Sequence, residues 1–156
     1  MSDFKTLIAK MTKAACNGDG KGAAACFTST GTYHDCFYGA FKGKAIINMV
    51  ENFFHRDAEN FIWDVHDPVD NGKVGYARYV FSYNSKLPDA YGKRVVFEGV
   101  SVCRLSEGLI DDYREVADSV TGLYQLGFSD QRLTKLIKRE VKTLRSRRES
   151  AHHIEH

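Results

Sequence analysis

The chain has 156 residues, of which 43% are hydrophobic and 27% charged, with a net charge of +2. This length suffices for one domain with a sizeable core, and the composition is ordinary for a globular protein. No apolar run approaches the roughly 18 residues of a membrane span. The N-terminus lacks the basic and apolar regions of a secretory signal, so we expect a cytoplasmic protein with no membrane partner.

The N-terminal part of the chain predicts mainly helices. Ser2 or Asp3 can cap a first helix, because the apolar residues after them recur at helical spacing. A glycine-rich turn, "NGDGKG", ends this helix and lacks the pattern of a phosphate-binding loop. The elements predicted after it are a short helix at 22–27, a strand at 30–36 and a helix at 44–55.

The middle of the chain predicts a meander of long strands separated by turn signals. These strands lie at 60–66, 73–83, 93–105 and 109–117. A short helical segment at 118–128 and an amphipathic helix at 130–148 come next, and the mixed ending "AHHIEH" predicts no structure. The segregation of helices and strands indicates an α+β fold, a strongly curved and mainly antiparallel sheet wrapped on helices. Such a sheet can enclose a pocket on its concave side.

Basic residues are concentrated at the C-terminal end. Residues 130–156 carry 8 Lys+Arg and 4 Asp+Glu, whereas residues 1–129 carry 14 and 16. The basic helix is typical of a solvated helix that packs on the domain, and it can also extend a dimer contact or cover a pocket opening. A basic helix can also bind nucleic acid, which we regard as the less favoured interpretation.

The four cysteines, Cys16, Cys26, Cys36 and Cys103, form neither a C-x-x-C pair nor a zinc-finger pattern. Reduced, mostly buried thiols are therefore expected. His66 and Asp67 would need to meet other ligands to hold a metal, and nothing in the spacing requires this. With no glycine-rich nucleotide fingerprint either, the sequence predicts no metal and no cofactor.

Three segments resemble the NTF2-like superfamily, and in particular its SnoaL-like branch: "TYHDCFYGAFKGKAIINMVENFF", "FEGVSVCRLSEGLIDDYREVAD" and the sequence between them. The superfamily includes nuclear transport factor 2, ketosteroid isomerase, limonene-epoxide hydrolase and the polyketide cyclases. The resemblance covers residues 3–128 and implies a cone-shaped, cystatin-like fold with one apolar pocket per subunit. It also implies a homodimer joined through sheet faces. Residues 1–128 are accordingly expected to form the domain, and 129–156 an added basic helix and tail.

Glu115 is the first candidate catalytic residue. Alternation along "YREVAD" places it on one strand face with Tyr113 and Ala117. The resemblance implies that it occupies the position of the catalytic aspartate of epoxide hydrolases and polyketide cyclases. In an apolar cavity its pKa would rise, and it could then exchange protons near neutral pH. The alternative is a surface charge paired with an arginine.

Tyr33 and Asp35 share a face of the first strand and are the other candidate catalytic residues. The sequence Tyr33-His34-Asp35 is similar to the Tyr-x-Asn with which epoxide hydrolases hold the attacking water. The alternatives are that Asp35 caps the next turn and that Tyr33 packs in the core. His34 lies on the other face, and only a register slip of one residue would direct it into the pocket.

Trp63, Arg78 and Tyr113 complete the candidate pocket residues, together with His34. Trp63 suits the wall of an apolar cavity, although such aromatic residues are more often plain core. Arg78 begins the nearest match to the Arg-x-Asp of the epoxide hydrolases, but the aspartate is absent. Arg78 could also pair with Glu98 across the solvent face.

These residues are compatible with two functions. The first is cofactor-free acid–base chemistry on a small apolar compound with a carbonyl or hydroxyl group: isomerisation, dehydration, cyclisation or hydrolysis. The second is a non-catalytic module that binds a ligand or mediates dimeric assembly. An open cavity with Glu115, Tyr33 and Asp35 around it would favour the first, and a cavity filled by aromatic side chains the second.

Overall fold

The computed structural model describes residues 3–155, which form a six-stranded sheet with helices on its concave side. Further helices come after the last strand, at the C-terminal end of the chain. The strands are β1 (Phe27–Asp35), β2 (Gly39–Lys42), β3 (Ala58–Asp70), β4 (Val74–Ser85), β5 (Arg94–Ser106) and β6 (Leu109–Ala117). The helices are α1 (Phe4–Cys16), α2 (Gly20–Ala24), α3 (Ala45–Asn48), α4 (His55–Asp57), α5 (Ser119–Gln125), α6 (Asp130–Arg145) and α7 (Ala151–Ile154). None of the helices within these residues is both long and apolar enough to cross a bilayer.

The strand order is β2-β1-β6-β5-β4-β3, and the sheet is open. Only β1 and β6 run parallel; the other neighbouring pairs are antiparallel. Register shifts interrupt β3 at two places, and Asn60 and Asp67 adopt positive φ angles there. Irregularities of this kind bend a strand and increase its twist. The predicted curved, mainly antiparallel α+β fold is confirmed.

The N-terminal helices close one end of the concave face. Asp3 caps α1 by accepting a 2.6 Å hydrogen bond from the Thr6 amide, and Ser2 lies outside the described residues. The apolar face of α1 is buried against the sheet, in a cluster that contains Phe4, Ile8 and Met11. Gly75 permits this contact, because a Cβ there would lie 2.6 Å from the Phe4 ring.

A π-helical turn, Met49–Phe54, joins α3 to α4. The sequence predicts one continuous helix at 44–55, and helical structure does span this region, but the central turn is wider than an α-helix. Phe54 contacts Tyr33 and packs on the core, whereas Phe53 contacts Tyr38 and Phe41. Such turns often occur next to functional sites.

The C-terminal helices pack on a second apolar cluster. Leu123 and Leu126 at α5 and Leu133 on α6 join Tyr79 and Phe97 from the sheet there. The helix predicted at 130–148 ends at Arg145 and a 3-10 turn, Arg148–Ser150, comes after it; the prediction of no structure for the ending "AHHIEH" is wrong, because Ala151–Ile154 forms α7. The mixed sequence concealed these elements because they have no apolar face: α7 has no buried residue.

Candidate functional site

A cavity of about 300 Å³ opens between the two apolar clusters on the concave face. Half of its described lining residues are aromatic; those on β3, β4 and β5 are Phe61, Trp63, Tyr79, Phe81, Tyr83 and Phe97. Its volume is at the lower end of the ~300–1,000 Å³ typical of small-molecule sites. The aromatic side chains therefore line the cavity without filling it.

Glu115 lies on the inner face of β6 and lines the cavity. Protein surrounds its carboxyl group, although the side chain keeps some exposure. Burial, and secondarily the charge of Asp35, raises its pKa from 4.5 to about 7. The Tyr113 hydroxyl partly opposes this rise in pKa by donating a 2.7 Å hydrogen bond to Oε1. The carboxyl can therefore both accept and donate a proton near neutral pH.

Asp35 lines the same cavity at the end of β1. Its Oδ1 accepts hydrogen bonds from the Phe37 and Tyr38 amides, at 2.8 and 3.0 Å. Burial raises its pKa from 3.8 to about 6, and the two amides partly oppose the rise. Asp35 thus caps the turn after β1, which was the structural alternative given for it in the sequence analysis. It also presents a carboxyl group to the cavity.

Tyr33 and Tyr113 stack behind the carboxyl groups, with ring centroids 4.4 Å apart. Tyr33 is 2% exposed and lines the cavity. Tyr113 is fully buried and lies outside the lining; its hydroxyl joins the Ser101 hydroxyl, at 2.9 Å, to Glu115. Tyr113 therefore orients Glu115 from behind the cavity wall. The prediction that Tyr113 lines the cavity is corrected, because its side chain lies behind the lining residues.

Two polar groups in the cavity wall have no hydrogen-bond partner among residues 3–155: Trp63 Nε1 and the Tyr79 hydroxyl. The Tyr79 hydroxyl lies close enough to Glu115 to lower the pKa of the Glu115 carboxyl. The two groups do not, however, meet the geometry of a hydrogen bond. An unpaired buried donor costs about 1–3 kcal/mol. A ligand oxygen that reached either group would recover this energy.

His34 and Arg78 do not line the cavity, which corrects the prediction for both. The inward direction of Tyr33 and Tyr79 turns the adjacent side chains to the outer face, because strand neighbours alternate. His34 Nε2 lies 2.8 Å from Asp112 Oδ1 there. Arg78 lies 3.9 Å from Glu98, and both side chains are largely exposed.

The sequence interpretation missed the aromatic residues on β4 and the lining residue Cys36. Tyr79, Phe81 and Tyr83 alternate along β4, and this period could have identified the inner face. Cys36 comes after the last residue of β1, where alternation no longer applies. Burial, together with the charge of Glu115, raises its pKa well above 9.0. Its thiol therefore stays protonated and is a poor nucleophile.

No group of three or more His, Cys, Asp or Glu side chains within residues 3–155 is arranged to hold a metal ion. Three carboxyl groups line the cavity, and Asp57 among them is bound by Arg56. The other two, Asp35 and Glu115, stand among aromatic side chains and have raised pKa values, which is the environment of an acid–base pair.

The SnoaL-like domain matches residues 8–113, more than half of the chain. The chain belongs to the SnoaL-like family. No curated protein matches this SnoaL-like chain.

Solved structures place the SnoaL-like chain in the NTF2-like fold. TsrD from Streptomyces laurentii is 19% identical with a TM-score of 0.67, and the match covers 81% of this chain and 98% of TsrD. IdmH from Streptomyces antibioticus, a proposed polyketide cyclase, is 19% identical with a TM-score of 0.65, covering 80% and 98%. An LEH-like epoxide hydrolase from M. tuberculosis is 15% identical with a TM-score of 0.63, covering 86% and 94%. At these identities the likeness concerns the fold alone, which confirms the NTF2-like architecture.

Proposed function

We propose that this protein catalyses cofactor-free proton transfer on a small, apolar carbonyl compound bound in the cavity. The observation that carries the proposal is the pair of carboxyl groups, Glu115 and Asp35, in the wall of an open aromatic cavity. Isomerisation, aldol-type cyclisation and dehydration share one step, the removal of a proton next to a carbonyl group. An epoxide hydrolase would instead use the same base to activate water.

Glu115 is the proposed general base. With a pKa of about 7, it is substantially ionised at neutral pH yet basic enough to remove a proton in an apolar site. The hydrogen bond from Tyr113 fixes Oε1, so the carboxylate is held in one orientation. The proton taken from carbon can return to a second position of the substrate or pass to its oxygen.

Tyr33 and Asp35 are the proposed orienting residues, and the unpaired donors add to them. The enolate formed by proton removal carries charge on oxygen, and hydrogen-bond donors that face this oxygen stabilise it. Trp63 Nε1 and the Tyr79 hydroxyl are donors without partners in the described chain. Asp35, with a pKa of about 6, is mostly ionised at neutral pH and would hold a substrate hydroxyl instead.

A direct test is the exchange of carbon-bound hydrogen in 2-tetralone, a bicyclic ketone, measured by proton NMR in D₂O. The native protein should accelerate exchange above the buffer rate, with a pH midpoint near 7 set by Glu115. Glu115→Gln keeps the shape and should lower the rate by about 10²- to 10⁴-fold, the range of general-base catalysis. Equal rates for the two proteins would contradict the proposal. Glu107→Gln, in the exposed turn between β5 and β6, is the matched control.

The alternative is a module that binds a ligand without catalysing a reaction. One observation favours it: the aromatic wall suits an apolar ligand whether or not that ligand reacts. Binding of 2-tetralone without exchange would support it. The indole N–H of Trp63, the chain's one tryptophan, reports such binding directly in a nitrogen-15 NMR spectrum.

We also propose that the outer sheet face pairs with a second copy of the chain. Apolar side chains are exposed there on four neighbouring strands, interspersed with charged residues, and the most exposed are Ile62, Val69, Tyr76, Val96 and Val116. Exposed apolar surface on one sheet face is typical of an interaction surface. Sedimentation should give about twice 17.6 kDa for the native protein and the monomer mass for Val116→Arg. Tyr91→Arg, an exposed residue between β4 and β5, should stay dimeric; a native monomer would refute the pairing.

A cytoplasmic location is proposed from the cysteines. All four are free, and Cys26 and Cys103 are buried. Unpaired thiols persist in a reducing compartment. Fractionation of cells that produce the protein, with immunodetection, should recover it with the cytosol; recovery from a secreted fraction would contradict this location.

A further inference from the structure

Helix α6 forms part of the cavity although it lies beyond the SnoaL-like match. Arg132, Leu136 and Arg139 all line the cavity, and their spacing of four and three residues places them on one helix face. The burial of Leu133 and the packing of Leu136 on the second apolar cluster hold this face toward the sheet. The helix is therefore a built part of the cavity wall.

Arg132 and Arg139, here called the rim arginines, are the only lining residues in the described chain that are exposed to solvent. The other lining residues are buried or partly buried. The rim arginines therefore stand where the cavity meets solvent. A ligand bound against the aromatic wall would present its outer end to them.

The charge of the rim arginines is poorly compensated. The Arg132 guanidinium lies 3.6 Å from the Phe128 ring centroid, and no carboxylate lies within 4.0 Å of it in residues 3–155. Stacking on an aromatic ring restricts the guanidinium and leaves its N–H groups free. Arg139 lies 3.5 Å from Glu140, with both side chains half exposed, and 3.5 Å from the Cys36 carbonyl oxygen.

Within residues 3–155, no acidic group of the cavity lies within 4.0 Å of a rim arginine. Asp57 is bound by its neighbour Arg56 through hydrogen bonds of 2.7 and 2.8 Å. Asp35 and Glu115 lie deeper, on the sheet side of the cavity. The two guanidinium groups thus lie on the one helix face that lines the rim, and the planar N–H pairs of each match a carboxylate.

We infer that helix α6 selects ligands that carry a carboxylate, held between Arg132 and Arg139 while an apolar body occupies the cavity. The inference rests on the proposed function for the cavity itself and adds the chemical class of its ligand. An apolar cavity of about 150 Å³ accommodates benzene. A cavity of about 300 Å³ therefore fits a compound of one or two rings, and the acid group extends to the rim.

The test compares 2-naphthoate with 2-naphthamide, which has nearly the same shape and no charge. Binding is measured by the shift of the Trp63 indole N–H signal. The native protein should bind the carboxylate roughly 5- to 10-fold more tightly, because exposed ion pairs contribute modestly. The preference should weaken as salt is added.

The double variant Arg132→Gln/Arg139→Gln should bind the two probes equally. Lys138→Gln, which removes one charge from the opposite side of α6, should keep the preference. Equal binding by the native protein, or an unchanged preference in the double variant, would overturn the inference and leave the apolar cavity intact. Binding of neither probe would count against the proposed pocket, and the inference would fail with it.

Discussion

The stability of this protein should depend on pH through Glu115. The pKa rise from 4.5 to about 7 means that the folded protein holds the proton more tightly than the unfolded chain. Its stabilising contribution is therefore fully present below pH 4.5 and is lost as the pH rises through about 7. At ~1.4 kcal/mol for each tenfold change in proton affinity, the loss amounts to about 3 kcal/mol.

Glu115→Gln isolates this effect, because the amide resembles the protonated carboxyl and can still accept the Tyr113 hydrogen bond. The variant and the native protein should have equal free energies of unfolding at about pH 4.5. At about pH 8.5 the variant should be more stable by about 2–3 kcal/mol, since water in the cavity reduces the cost of the buried charge. Urea unfolding monitored by Trp63 fluorescence, at one protein concentration, gives both values.

The matched control is Glu107→Gln in the turn between β5 and β6, where the side chain is exposed. Its difference from the native protein should stay near zero over the same pH range. A constant difference between Glu115→Gln and the native protein from acid to alkaline pH would refute the reasoning. It would mean that the carboxyl group is solvated in the folded state.

Three further substitutions test the surroundings of the site. Tyr113→Phe removes a hydrogen bond to the ionised Glu115, so the pH midpoint of 2-tetralone exchange should rise by about 1 unit. Asp35→Asn removes the charge that, after burial, raises the Glu115 pKa, so this midpoint should fall. An unchanged midpoint would mean that the charge of Asp35 does not affect Glu115. Gly75→Ala would place a Cβ 2.6 Å from the Phe4 ring and should destabilise the fold by about 1–3 kcal/mol in urea unfolding. Adding Phe4→Leu should restore part of this loss.

Sequence alone predicted the order of elements except for the short strand β2, Gly39–Lys42, and it predicted their bounds less well. The strand predicted at 60–66 extends over Ala58–Asp70 in the structure. The prediction was too short because two bulges interrupt the alternation that marks a strand. The strand predicted at 109–117 agrees with β6 in both bounds. The glycine turn before it gives a clear start, and its alternation continues through Tyr113, Glu115 and Ala117.

The candidate site was predicted in part. Glu115, Asp35, Tyr33 and Trp63 do meet at one cavity, because alternation fixed which residues share a strand face. Alternation could not fix which face looks inward: Arg78 was included among the pocket residues, and its alternative, a pair with Glu98 across the solvent face, is the one that agrees with the structure. The sequence could not predict that α6 lines the cavity. An amphipathic pattern predicts that one face of the helix is buried, but it does not indicate which part of the fold that face covers.

The π-helical turn at Met49–Phe54 has a consequence for the length of the chain. An α-helix advances by about 100° per residue, and a π-helical turn accommodates one residue more than an α-helical turn. Deleting exposed Asn52 would remove this extra residue and let the segment continue as an α-helix, so the side chains after the deletion would keep nearly their present directions. Tightening the turn without a deletion would instead rotate Phe54 away from the cavity wall. The wide turn thus absorbs one residue of chain length, and a relative that is one residue shorter here would keep the same cavity wall at Phe54.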